Sequence, residues 1–124
     1  MDDKKVLLIV DDDKEFTDKM AEKALKLGFD AKVASSGKEA LDYVAANKVD
    51  FIILDFVMPE MDGSTFYHVL THDMRKNIPT VVLTTLSRIE NSVEGLQVFE
   101  KSETDLDEFL QMIKNKFSPA PTTN

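Results

Sequence analysis

Residues 51–63 read Phe51-Ile52-Ile53-Leu54-Asp55-Phe56-Val57-Met58-Pro59-Glu60-Met61-Asp62-Gly63. The first four are apolar without a break, as in a strand covered on both faces within a parallel sheet. Asp55 follows that run with no turn signal before it. Its carboxylate must therefore be partly buried, which is costly unless a cation lies nearby. Pro59 and Gly63 set the backbone of the turn that follows, where Asp62 reads as a turn or cap residue and Met58 and Met61 as packing.

Outward from this segment, Val6-Leu7-Leu8-Ile9-Val10 and Thr80-Val81-Val82-Leu83 have the same character. Ala31-Lys32-Val33-Ala34 and Val98-Phe99-Glu100 are weaker strand candidates. Helical patterns lie between them. Phe16, Met20, Ala24 and Leu27 repeat at helical spacing after Asp13, a plausible N-cap, and stop at Gly28. Ser36 and Glu39 form a candidate capping box before Ala40, Leu41 and Val44. Phe66, Leu70 and Met74 mark a third helix, and Ser87 to Glu94 a short fourth one with Ser87 and Glu90 as its capping box. Leu106, Phe109, Leu110, Ile113 and Phe117 give the cleanest amphipathic stripe. Strict strand–helix alternation predicts right-handed crossovers and an α/β fold, a parallel sheet with helices on both faces. Residues 4–117 form the expected domain, and 118–124, with two prolines, a flexible tail or the start of a linker.

In such sheets ligands bind outside the carboxyl ends of the strands. Strand one ends in Asp11-Asp12-Asp13, strand three in Asp55, strand four in Thr84-Thr85 and strand five in Lys101. One Asp suffices for a helix cap, and Asp13 takes that role. Asp11, Asp12 and Asp55 packed together would repel one another. A hard divalent cation with oxygen ligands relieves this, and Mg²⁺ sits on a few carboxylates while retaining waters for phosphate oxygens. Lys101 would add a second positive charge. The set suits phosphoryl transfer to Asp55, with Thr84 able to hydrogen-bond a phosphoryl oxygen and draw in the loop that follows.

Composition narrows the class. The chain has 124 residues, 43% apolar and 31% charged, as expected of one soluble globular domain. Its net charge of −8 argues against direct nucleic-acid binding. No apolar run approaches the roughly 20 residues of a membrane span, and no secretory signal is evident. Without cysteine there is no disulfide, thiolate site or cysteine nucleophile, and a cytoplasmic location fits best.

The combination of Val10-Asp11-Asp12, Leu54-Asp55-Phe56-Val57-Met58-Pro59-Glu60-Met61-Asp62-Gly63, Leu83-Thr84-Thr85 and Lys101 resembles the response-regulator receiver family (CheY-like) over residues 4–117. The resemblance implies a flavodoxin-like (βα)5 three-layer sandwich with strand order 2-1-3-4-5, the doubly wound order that receiver proteins share with flavodoxins. It implies that Asp55 is the phosphoacceptor. Asp11, Asp12 and Asp55, with the backbone carbonyl of Val57, would hold Mg²⁺. Thr84, Thr85 and Lys101 would be the phosphoryl-contacting and switch residues. The implied donor is a sensor histidine kinase or histidine phosphotransfer protein, and the target a downstream protein or a C-terminal output domain absent from this sequence. Such a domain catalyses its own phosphotransfer and dephosphorylation and is not a turnover enzyme. A weak homodimer through the fourth helix, fifth strand and fifth helix is a further association the resemblance allows.

Three positions depart from the family pattern. Ser102 follows Lys101 where proline is usual. A cis bond before serine costs roughly 3–4 kcal/mol, so that cost is borne locally or the bond is trans and Lys101 is aimed differently. The Thr84–Lys101 segment is roughly five residues shorter than usual, more than one helical turn, which shortens the fourth helix. Val98 replaces the rotating aromatic of strand five. These changes motivate an alternative reading, a phosphorylation-independent interaction module on a receiver fold. A flavin-binding protein of this topology would need a phosphate loop that Asp11-Asp12-Asp13 would repel. A dehalogenase-type phosphatase would want a second acid two residues after Asp55. His68 and His72 have metal-chelating spacing, but without a third ligand they read as solvated helix residues.

Overall fold

Val6–Val10 (β1) is apolar throughout, and every residue after Val6 is buried. The computed structural model describes residues 4–85 and 96–117. Lys14–Lys26 (α1), Asp30–Ala34 (β2), Gly37–Ala46 (α2), Phe51–Leu54 (β3), Gly63–His68 (α3), Thr80–Thr84 (β4), Gln97–Glu100 (β5) and Leu106–Phe117 (α4) follow in order. The five strands form one parallel sheet in the order β2-β1-β3-β4-β5. This is the expected flavodoxin-like arrangement. The expected helix at Ser87–Glu94 lies outside the described residues, so α4 here is the C-terminal amphipathic helix.

The two-residue period of the strands divides the core between the sheet's faces. Leu7, Ile9, Phe51, Ile53, Val81 and Leu83 meet Met20 and Ala24 of α1 and Phe109, Leu110 and Ile113 of α4. Leu8, Val10, Ile52 and Leu54 meet Ala40 and Val44 of α2 and Phe66 of α3. That explains why these strands read as unbroken apolar runs. Each face needs its own set of alternate residues.

Local signals fix the helix ends. Asp13 Oδ1 accepts from the Phe16 amide at 3.2 Å, capping α1. At the other end Gly28 adopts φ +97°, with Gly28 N–H bonded to Leu25 O and Phe29 N–H to Ala24 O. This left-handed glycine stop turns Phe29 into the core. Ser36 Oγ accepts from the Glu39 amide at 3.1 Å. Glu39 Oε1 reaches back one residue further than in a standard capping box, to the amide and hydroxyl of Ser35. Asp62 caps α3 through Thr65 N–H at 2.8 Å.

The third helix departs from a regular pattern. Its α-helical part ends at His68 and continues as a π turn over Val69–Asp73, with Met74 N–H bonded to Val69 O at 2.9 Å. The Thr71 hydroxyl donates to Tyr67 O at 2.9 Å, occupying a carbonyl that an α turn would offer to a backbone amide. Leu70 remains fully buried, while Met74 is only partly covered.

Gly63 is required by a close approach. A Cβ there would lie 2.6 Å from Asp55 O and 2.8 Å from Phe56 Cα. The first turn of α3 thus rests on the backbone that carries Asp55, and Gly63 N–H bonds Phe56 O at 3.1 Å. Gly63→Ala is expected to cost about 1–3 kcal/mol despite alanine's better helix propensity. Urea unfolding would measure this, and an unchanged midpoint would contradict the packing argument.

Candidate functional site

The carboxyl edge of the sheet gathers the charged residues. Asp11 continues directly from β1, and its amide bonds Ala34 O of β2 at 3.1 Å. Asp55 continues from β3, anchored by its amide on Val10 O at 2.9 Å. The parallel register aligns Val10 with Leu54, so the two following aspartates emerge side by side. Asp11, Asp12 and Asp55 each present a carboxylate oxygen within 4.8 Å of the others. Asp11 and Asp55 are 2% and 5% exposed, whereas Asp12 faces solvent.

The buried acids have few partners. Asp11 Oδ1 accepts from Asp13 N–H at 3.0 Å. Asp11 Oδ2 lies 2.7 Å from Lys101 Nζ, close enough for an ion pair but not aligned as a hydrogen bond. Asp55 Oδ1 accepts from Val57 N–H at 3.2 Å. Burial and the neighbouring Asp11 charge push the Asp55 carboxyl up to about 6, against the opposing pull of the Val57 amide, Lys101 and the Thr84 hydroxyl. Fully buried Thr84 ends β4 beside Asp55, and Thr85 next to it is exposed.

Lys101 arrives from the end of β5, in a 3₁₀ turn spanning Lys101–Glu103. The described residues contain no cis peptide bond, so the Lys101–Ser102 bond is trans. Lys101 nonetheless points into the acidic cluster. Ser102 itself is exposed, with its hydroxyl near Glu100 Oε2 at 3.3 Å. Val98 is 38% exposed at the sheet edge, and the adjacent Phe99 turns inward onto Phe109, ring centroids 5.0 Å apart. The exposed His68 and His72 rings stack at 4.4 Å, and among the described residues they join no group of three metal-capable side chains.

One contact was not legible in the sequence. The Phe16 ring lies 4.1 Å from Lys101 Nζ, measured to its centroid. Helical spacing marks Phe16 only as a core position. A usable signal was its place three residues after the Asp13 cap, at the same edge of the sheet as the acids.

Residues 7–101 match the response regulator receiver domain model. A probable transcriptional regulator, ycf27, of Cyanidium caldarium is 34% identical over 94 residues, covering 74% of this chain and 36% of the relative. The Francisella response regulator 1452 receiver domain superposes with TM-score 0.81 at 30% identity, covering 94% of this chain and 99% of that one. Response regulator TrrA of Thermotoga maritima, solved in complex with Mg²⁺–BeF, gives TM-score 0.77 at 23% identity, covering 90% and 97% of the two chains. That last likeness concerns the fold. This chain belongs to the response regulator receiver domain family, the regulatory input module of two-component systems. It spans a little over a third of the length of the curated relatives it matches, 36% and 38% for the first two.

The raised Asp55 carboxyl has a stability consequence. The folded state binds this proton more tightly than the unfolded chain, so the stabilising contribution is complete below the ordinary value of 3.8 and lost as pH rises through about 6. At neutral pH without a divalent cation, ionised Asp55 therefore opposes folding. Asp55→Asn is expected to stabilise the metal-free protein by roughly 1–3 kcal/mol at pH 7.5 and by little near pH 4. Thermal unfolding at both pH values checks this. An equal effect at both would contradict it.

Proposed function

We propose that this chain is a phosphoacceptor of a two-component phosphorelay, with Asp55 taking a phosphoryl group from a phosphohistidine in a Mg²⁺-dependent reaction. The observation carrying the reading is the convergence of Asp11, Asp12 and Asp55 within 4.8 Å, with Lys101 beside them. The donor set fits Mg²⁺. It consists of hard oxygens, one of which, Asp11 Oδ2, is buried and lacks a hydrogen bond. Asp11, Asp12, Asp55 and the Val57 carbonyl would hold the ion. When bound, it neutralises the carboxylates and orients phosphoryl oxygens.

The chain's own groups do the rest. An Asp55 oxygen forms the new bond to phosphorus while the phosphorus–nitrogen bond to the donor imidazole breaks, and that imidazole leaves with the bonding pair and takes a proton from solvent. Lys101 offsets charge on the transferred group, and Thr84 donates a hydrogen bond to one of its oxygens. Thr85 and the exposed Val57 flank the entrance and control water access. Both the transfer and the later hydrolysis of the aspartyl phosphate are self-catalysed steps of a regulatory domain, not the cycle of a turnover enzyme. Residues 4–117 would form the receiver and 118–124 the approach to whatever follows. The donor would be a sensor kinase or histidine phosphotransfer protein, and the target a separate protein or an attached output domain. No helix among the described residues is long and apolar enough to cross a membrane. A cytoplasmic site of action is part of the proposal.

Incubation with Mg²⁺ and a small acyl phosphate should give one phosphoryl adduct by intact mass, absent in Asp55→Asn and in chelator. An unmodified wild type, under conditions that modify an ordinary receiver, would favour the phosphorylation-independent interaction module. Lys101→Met should separate the two cations' roles. Without its competing ammonium, Mg²⁺ should bind several-fold tighter, while adduct formation slows by at least about tenfold. Titration calorimetry and single-turnover mass spectrometry measure the two effects. Weaker Mg²⁺ binding would contradict the charge argument.

A further inference from the structure

We infer that Phe16 is a positioning residue for the phosphoryl-contacting lysine, its ring holding the Lys101 ammonium at the site edge. The inference rests on the role proposed above for Lys101. Two contacts define where that ammonium sits. Asp11 Oδ2 lies 2.7 Å away, and the Phe16 ring centroid 4.1 Å away. The lysine side chain is only 12% exposed, so the ring contact is largely shielded from water. Cation–π attraction is strongest under those conditions.

The contacts close a ring of restraints. Asp11 Oδ1 fixes the Asp13 amide, Asp13 Oδ1 fixes the Phe16 amide, Phe16 carries Lys101, and Lys101 returns to Asp11 Oδ2. Phe16 is thus tied, through the Asp13 cap, to Asp11 of the acidic cluster.

The ring does something the carboxylate cannot. A divalent cation on Asp11, Asp12 and Asp55 would compete with Lys101 for Asp11 and repel its ammonium. A hydrated Mg²⁺ does not displace an ammonium from a benzene face. The Phe16 contact thus survives loading of the acidic cluster and keeps Lys101 beside the position of the incoming phosphoryl group. Phe16 also packs against the core formed with α4, so an apolar substitute must be distinguished from an aromatic one.

The test compares the wild type with Phe16→Leu, which keeps apolar bulk without a π face, and Phe16→Tyr, which keeps the face. A series of progressively fluorinated phenylalanines at position 16 weakens the face at nearly constant size. NMR of the Lys101 side chain reads the contact without phosphate. Acyl-phosphate adduct formation with Mg²⁺ reads its consequence.

The expected result is an upfield ring-current shift of the Lys101 ε-protons, lost in Phe16→Leu. Adduct formation should slow about three- to tenfold in Phe16→Leu, recover in Phe16→Tyr, and fall stepwise with fluorination. If Phe16→Leu only lowers the melting temperature, or if rates ignore fluorination, the positioning role is overturned. An absent ring-current shift in the wild type overturns the contact itself. A wild type that forms no adduct overturns the phosphoacceptor reading and this functional role together, while the NMR arm still decides the contact.

Discussion

Three carboxylates with oxygens inside 4.8 Å, two of them almost wholly buried, are the constraint on which this molecule is organised. Left alone they repel, and burial deepens the cost. The Asp55 carboxyl bears this cost, pushed up to about 6 by its burial and by the Asp11 charge. The fold keeps them together because β1 and β3 are adjacent, parallel and in register, and neither aspartate can retreat without disturbing a buried strand. Lys101 is the chain's own partial answer. A divalent cation would be the fuller one.

The surrounding architecture serves that edge. Gly63 allows α3 to begin directly against the backbone of Asp55 and Phe56. Asp13 and Asp62 start α1 and α3 beside the site, so both helices meet the sheet at the end where the chemistry gathers. Val98 and Phe99 divide the residues of β5 between solvent and core, with Phe99 committed to Phe109. The aromatic of this strand is thus a packing element, pointed away from the exposed face.

What could be read from the sequence was local. The buried strands announce themselves through unbroken apolar runs, and Asp13, Ser36 and Asp62 stand where short-range capping geometry requires them. The acidic cluster was legible because topology alone brings the ends of β1 and β3 together. The remainder depends on contacts between distant segments or on competition within one turn. The placement of Lys101 at the strand ends foretells its meeting with the acids, but nothing near it in sequence indicates that its ammonium also meets the Phe16 ring. The π turn coincides with a threonine hydroxyl bonded to the Tyr67 carbonyl, which apolar periodicity does not register. Glu39 bonds Ser35 instead of its usual partner because the chain entering α2 presents that residue.

The central claim is chemical: an acyl phosphate forms on one particular carboxylate of the three. Borohydride reduces an aspartyl phosphate to homoserine and leaves free aspartate untouched. Peptide mapping after phosphorylation and reduction should find homoserine at position 55 alone, and only when Mg²⁺ was present. Homoserine at position 11 or 12, or at 55 regardless of metal, would contradict the account.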